Sequence, residues 1–352
     1  MRSGVISVML GYAMIALVIS PAAGQEQVSN STTITGESLV LAARKPGNLM
    51  YADIVPGSVI IRSSYVLNDD TVVYENGRDY VINYAQGTIA RSPASRMPDF
   101  SQNMLYNQKN FDHSKFPGFT NHPFFVWVDY RTNAAKPLTD GSNQAATLTK
   151  TRKKLQAGGP FKIIAFGDSI STGCETSSEG LRFQNLYAAE LEKRFPKAAI
   201  TVEMGATGGD TTQNGLDRIE EKVLSRNPDM VLLAFGMNDH NVAGFGVALD
   251  AFEANLRKMI DMIRQRTDAD VLLLSTFPPN PDWAFGSHQM EKYAQATERA
   301  AKETKTAYAD VYSVWMKALA RKDAPSLLGN NINHPNDFGH WLYLQALKAV
   351  EF

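Results

Sequence analysis

Phe161-Lys162-Ile163-Ile164-Ala165-Phe166-Gly167-Asp168-Ser169-Ile170-Ser171 is an apolar run that stops abruptly in a turn of small and polar residues. A short run that is apolar without alternation predicts a strand buried on both faces. The pattern returns at 200–204, 230–235, 271–275 and, more weakly, 307–311. Between these runs, helical spacing of apolar residues occupies 180–195, 211–226, 248–266 and 287–305, and a last helix begins near Phe338. Buried strands alternating with amphipathic helices predict a parallel sheet covered on both faces. We therefore expect an α/β fold over 161–352: three layers, flavodoxin-like, with a five-stranded parallel sheet. Such sheets bind their ligands at the carboxyl ends of the strands.

The chain before this half has another texture. Residues 25–131 are rich in β-branched and aromatic residues, as in Ser58-Val59-Ile60-Ile61, Thr71-Val72-Val73-Tyr74, Tyr80-Val81-Ile82-Asn83-Tyr84 and Phe124-Phe125-Val126-Trp127-Val128. Turn signals such as Asn68-Asp69-Asp70 and Glu75-Asn76-Gly77 separate them. Short strands at this spacing predict an all-β, sandwich-like domain. Residues 132–160 read as a linker with a short basic helix at 147–155. The segment 93–122 lacks strand period yet carries Tyr106, Phe111, Phe116 and Phe119. A loop that long in a compact protein is functional or packed on another domain, so we expect it to lean over the rim of the α/β half.

Residues 1–24 read as a signal peptide. Arg2 is followed by an apolar run over 5–19 and by Ser20-Pro21-Ala22-Ala23-Gly24, with a cut before Gln25. This predicts a secreted or periplasmic protein with no stable membrane insertion after cleavage. The alternative is an uncleaved anchor, for which the run is short. Lys+Arg number 35 and Asp+Glu 36. So balanced a chain has no electrostatic footprint for nucleic acid or an anionic membrane. The single cysteine, Cys174, excludes an intrachain disulfide and a Cys-rich metal site; it reads as a small buried residue in the first helical turn after Ser169. The six histidines show no metal-ligand spacing, and no metal is expected.

The strand ends carry the chemistry. The first run ends in Gly167-Asp168-Ser169, the second leads into Gly205-Ala206-Thr207-Gly208-Gly209-Asp210-Thr211-Thr212, and the third ends in Gly236-Met237-Asn238-Asp239. The loop before the last helix holds Asn331-Ile332-Asn333-His334-Pro335-Asn336. A hydroxyl and an imidazole on one rim suit acyl transfer: the hydroxyl attacks a carbonyl, and the imidazole takes its proton and returns it to the leaving group. The Ser169 N–H, the Gly209 N–H and the Asn238 amide are candidate oxyanion donors. Asp168 and Asp239 read as acceptors that fix their loops. Trp283 and Phe285, after the fourth strand, form a platform for a sugar ring or acyl chain, or else close the core of their loop. His240 is a rim residue placed to contact substrate.

These four blocks resemble the SGNH/GDSL hydrolase superfamily, in family order: Ser169 in Gly-Asp-Ser, Gly209 in Gly-Gly-Asp-Thr-Thr, Asn238 in Gly-Met-Asn-Asp, His334 in Asn-His-Pro-Asn. The resemblance covers about 161–352. It implies an esterase or lipase of three-layer fold that uses no cofactor, with Ser169 as nucleophile and His334 as general base. Many secreted relatives deacetylate polysaccharides, so the expected substrate is an acetylated carbohydrate or another small ester. The alternatives are a lipolytic or small-ester hydrolase, a carbohydrate O-acyltransferase on the same fold, and a non-catalytic binding protein. One position departs from the family block Asp-x-x-His, because Asn331 stands three before His334. The ring's partner is then Asn331, a backbone carbonyl there or nearby, or an acid from another loop, with Asp282 and Asp323 as candidates. Asp337 reads as the cap of the last helix.

Overall fold

The computed structural model describes residues 31–352; the leader expected over 1–24 lies outside them. The first strands are β1 (Thr32–Val40), β2 (Gly47–Asn48), β3 (Ile60–Arg62), β4 (Val73–Tyr74), β5 (Tyr80–Asn83), β6 (Thr88–Arg91) and β7 (Phe125–Thr132). All pair antiparallel. They form a four-stranded sheet, β1-β7-β3-β4, and a three-stranded sheet, β2-β6-β5, which together resemble the expected sandwich.

The sequence gives no strand signal for β1, whose first half is polar and broken by Gly36. In the structure its pairing with β7 slips between Ile34 and Glu37, Gly36 takes φ +68°, and every residue from Gly36 to Val40 is buried. A bulge of this kind re-aims the side chains that follow it. Glu37 points into the core, where its Oε1 accepts from Lys322 Nζ at 2.6 Å and from Met50 N at 2.7 Å. Its Oε2 accepts from the Tyr130 hydroxyl at 2.6 Å. Both charged side chains of the ion pair are fully buried. Ser38 Oγ donates to Ser326 O at 2.5 Å, and Val40 N donates to Ser326 Oγ at 3.2 Å. The antiparallel part thus grips the loop that leads to His334.

After β8 (Ser142–Asn143) and α1 (Thr149–Ala157), the parallel strands are β9 (Gly159–Gly167), β10 (Ala198–Met204), β11 (Met230–Ala234), β12 (Asp270–Leu274) and β13 (Ala307–Ala309). They stand in the order β10-β9-β11-β12-β13. The helices are α2 (Ser169–Thr172), α3 (Phe183–Arg194), α4 (Thr212–Lys222), α5 (Leu249–Arg266), α6 (Met290–Thr304), α7 (Val311–Leu319) and α8 (Asp337–Lys348). α4, α5 and α6 pack in succession, as do α3, α8 and α7, giving a helical layer on each side of the sheet. Ile163, Ile164, Val231, Leu232, Leu233, Leu272 and Leu273 are wholly buried, as strands covered on both faces require. β14 (Val350–Glu351) ends the chain by pairing with β8.

β10 lies on one side of β9 and β11 on the other. The strand order therefore reverses at β9, and its carboxyl end opens onto the crevice where such folds bind ligands. Apolar side chains of both halves join one core, and residues 31–352 form one compact unit. No helix among the described residues is long and apolar enough to cross a membrane.

Candidate active site

β9 delivers the serine. Asp168 caps α2 by accepting Ile170 N at 2.9 Å, and the helix lasts one turn because Gly173, at φ +80°, ends it. Ser169 is the first residue of α2, so its N–H has no intrahelical acceptor. Its Oγ lies 2.8 Å from His334 Nε2. His334 sits in a loop closed by Gly329 N donating to His334 O at 2.9 Å. Asn336 then starts α8 by accepting Gly339 N at 3.0 Å.

The ring's second partner is Asn330, not Asn331. Asn330 Oδ1 accepts the N–H groups of Ile332, Asn333 and His334, each at 3.0 Å. Its Nδ2 lies 3.0 Å from His334 Nδ1 and donates to Asn333 Oδ1 at 3.0 Å. Asn331 has φ +58°, and its side chain bonds away from the ring. Asn331 Oδ1 accepts from Asn121 Nδ2 at 3.2 Å and Asn280 Nδ2 at 3.4 Å, and its carbonyl accepts from Asn280 Nδ2 at 2.8 Å. The two candidate acids are engaged elsewhere: Asp282 pairs with Lys109 at 2.8 Å, and Asp323 accepts from Ser326 Oγ.

Ser169, Gly209, Asn238 and His334 line one cleft of about 560 Å³. Gly209 has φ +81° although a Cβ there would meet nothing within 4 Å; glycine is needed for the backbone conformation alone. Asn238 Nδ2 spends one N–H on Asp210 O, at 2.9 Å, and an amide nitrogen carries a second. Asp239 Oδ1 accepts Thr212 N at 2.9 Å and Thr212 Oγ1 at 2.5 Å, tying the loop after β11 to α4. Burial pushes the Asp168 carboxyl up to about 7 and the Asp239 carboxyl up to about 6.

The cleft wall is aromatic. Trp283 and Phe285 line it, together with Phe245 and with His113 and Phe119 of the long segment. That segment is stitched to the loop after β12: Phe111 N donates to Asp282 O at 2.8 Å, and Ala284 N donates to Phe111 O at 3.0 Å. Trp283 Nε1 donates to His113 Nδ1 at 3.0 Å. The segment leans over the rim as its aromatic content implied. Trp283 is 4% exposed, so it both closes the core of its loop and shows an edge to the cleft. Nothing in the sequence singles out His113; its one signal is its place among loop aromatics.

Three side chains differ from expectation. His240 does not line the cleft; it is buried, with Nδ1 3.1 Å from Ser287 Oγ and its ring edge-on to Trp283 and Tyr293. Burial lowers its pKa to about 4. Cys174 lies past the end of α2, half-buried and on the cleft wall, because α2 is a single turn. Asp337 does not cap α8; its Oδ1 accepts Ser177 N at 2.8 Å and fastens the loop after the serine.

Burial holds His334 below its ordinary value of 6.5, with the Glu175 carboxylate acting in the opposite direction. Glu175, which the sequence does not mark, pairs with His122 at 2.6 Å. A general base works only when neutral, and a lowered pKa keeps it neutral to lower pH. The acid limb of kcat/KM on a neutral ester is therefore expected to have its midpoint below pH 6.5. A limb centred above that value, measured by initial rates between pH 4 and 9, would count against His334 as the base.

Residues 165–342 match the GDSL-like lipase/acylhydrolase family. An arylesterase of Vibrio mimicus is 31% identical over 129 residues, which are 34% of this chain and 56% of that protein. The match thus spans little more than half the length of that relative. An acetylxylan esterase of Geobacillus stearothermophilus is 22% identical over 214 residues, 56% of this chain and 97% of that one. Among solved structures, a two-domain esterase active on acetylated mannans aligns with TM-score 0.48 and 25% identity, over 60% of this chain and 54% of its own. The family match covers half the chain and takes in both the serine of β9's end and the histidine 2.8 Å from it: this chain belongs to the GDSL-like lipase/acylhydrolase family and is a carboxylic ester hydrolase.

Proposed function

We propose that the protein removes O-acetyl groups from carbohydrate through an acyl-enzyme on Ser169. The observation that carries this reading is the 2.8 Å contact between Ser169 Oγ and His334 Nε2 at the floor of an open cleft. Ser169 Oγ bonds to the ester carbonyl carbon while its proton passes to His334 Nε2. The carbonyl oxygen, now negative, is met by the N–H groups of Ser169 and Gly209 and the free N–H of Asn238. The intermediate collapses, the C–O bond to the sugar breaks, and the proton on Nε2 goes to the leaving alkoxide. Water, deprotonated by the same nitrogen, then releases acetate.

The aromatic wall supports a sugar substrate, since such rings pair an apolar face with a polar edge. One curated relative is named as an acetylxylan esterase. The leader pattern supports action outside the cytoplasm, where polysaccharide is met. A second reading, hydrolysis of small apolar or aryl esters, is favoured by the cluster of Phe119, Phe245, Trp283 and Phe285 in the cleft. The two separate on a panel of acetylated xylan and mannan run beside p-nitrophenyl esters from acetyl to octanoyl. We expect acetate release from at least one polysaccharide and rates that fall with chain length. Faster cleavage of octanoyl than acetyl esters, with no acetate from any polysaccharide, would end the carbohydrate reading.

A further inference from the structure

Asn330 presents the wrong end of its amide to the catalytic imidazole. Three main-chain N–H groups converge on its Oδ1, from Ile332, Asn333 and His334. Oxygen must face them, because the amide nitrogen has only donors. This network, rather than the appearance of the side chain, assigns the orientation. Nδ2 is therefore the atom 3.0 Å from His334 Nδ1, and a donor there requires Nδ1 to be the acceptor. In the neutral ring one nitrogen donates and the other accepts. The proton consequently sits on Nε2 and points at Ser169 Oγ, 2.8 Å away.

From this we infer that Asn330 is a positioning residue that holds His334 in the tautomer unable to take the serine's proton, so that the resting enzyme is throttled. Resting on the esterase reading given above, the inference has a definite kinetic meaning. To act as base, the ring must first move its proton from Nε2 to Nδ1, where it meets the Asn330 N–H head-on. Rotating the amide instead would turn two N–H donors toward three others. The productive tautomer is thus a minor population, and every acylation starts from it. A carboxylate at this position reverses the preference: one oxygen keeps the three main-chain N–H groups, and the other accepts the proton on Nδ1. Asn333, whose Oδ1 now accepts from Asn330 Nδ2, can rotate its amide and donate to that carboxylate.

The size of the effect has a reference. Replacing the triad aspartate of a serine protease by asparagine, which leaves the geometry intact and selects the wrong tautomer, lowers kcat by ~10⁴. Asn330→Asp is the reverse change, and we expect it to raise kcat on p-nitrophenyl acetate by at least about tenfold. It is also expected to move the acid limb of the rate profile upward, since a carboxylate favours the imidazolium. The other ionisable groups set around the ring are Glu175 of the loop after α2 and His340 of α8, and the substitution leaves both unchanged. A folded Asn330→Asp variant with unchanged or lower kcat overturns the inference.

A second measurement needs neither turnover nor the variant. Nitrogen-15 NMR of the wild-type rings, with His334 assigned by difference from His334→Gln, reports which ring nitrogen carries the proton at pH 8. We expect an unprotonated Nδ1 and a protonated Nε2. The opposite pattern overturns the inference even if the enzyme is an active esterase, while the expected pattern stands even if no ester tried is cleaved.

Discussion

Ser169→Ala is expected to lower kcat on a chromogenic acetyl ester by at least ~10³, and His334→Ala by a similar factor. The double variant should be no worse than either single one. Residues that act as one unit are non-additive: once the hydroxyl is gone, an imidazole has nothing to deprotonate. In a serine protease the corresponding losses reach about 2 × 10⁶. We expect less here because the wild type starts from a ring held in its unproductive form. The oxyanion donors remain in Ser169→Ala, since two of the three are the main-chain N–H groups of residues 169 and 209, so residual activity above the buffer rate is expected. Ser169 is 6% exposed and makes its contact with His334 at the cleft, so thermal unfolding should barely change. A Ser169→Ala protein that keeps more than a tenth of wild-type activity, with the contaminating-esterase control subtracted, would remove the acyl-enzyme mechanism.

Lys322→Met carries the largest expected loss of stability. Its ammonium and the Glu37 carboxylate are both fully buried and 2.6 Å apart. Removing the lysine leaves the carboxylate with only Met50 N and the Tyr130 hydroxyl as donors, in a place water does not reach. Breaking a buried pair from one side costs about 3–5 kcal/mol, because the survivor's charge is no longer compensated. Replacing both partners by apolar residues is frequently neutral, so Glu37→Leu with Lys322→Met should regain most of the loss. Urea unfolding of the single and the double variant beside wild type decides this. A single variant within 1 kcal/mol of wild type would show that the pair is dispensable. Lys322 lies just before the loop of Ser326 and His334, so the same variant tests whether the antiparallel sheets hold the catalytic loop in place.

The α/β half was legible because its signals are redundant. Each buried strand is a continuous apolar run, each helix has its period, Ser169, Gly209 and Asn238 fall after strand ends where such folds work, and His334 falls in the loop before the last helix. Two kinds of feature were not. The first is direction within a turn. Asn330 and Asn331 are adjacent asparagines, and spacing favours the second. Asn331 takes a left-handed φ of +58° while Asn330 is the ring's neighbour, and no propensity distinguishes an asparagine that adopts such a φ from one that does not. The same holds for Cys174, whose environment depends on where a one-turn helix stops. The second is tertiary compensation. β1 reads as polar because it contains Glu37 and Ser38, yet their partners, Lys322 and Ser326, lie far along the chain. His240 looked like a rim residue because its neighbours in sequence are; its burial depends on Trp283 and Tyr293, which arrive from elsewhere.

The main-chain stitch between Phe111 and the Asp282–Ala284 turn has a consequence for how this protein can diversify. Backbone pairing of that kind is indifferent to side chains, so the cover of the cleft can be exchanged residue by residue while its attachment persists. His113 and Phe119 line the cleft from the long segment, whereas Ser169 and His334 line it from the α/β half. Part of the cleft wall and the reacting pair therefore lie on separate stretches of chain. Substitutions at 113 and 119 change that wall while leaving Ser169 and His334 untouched.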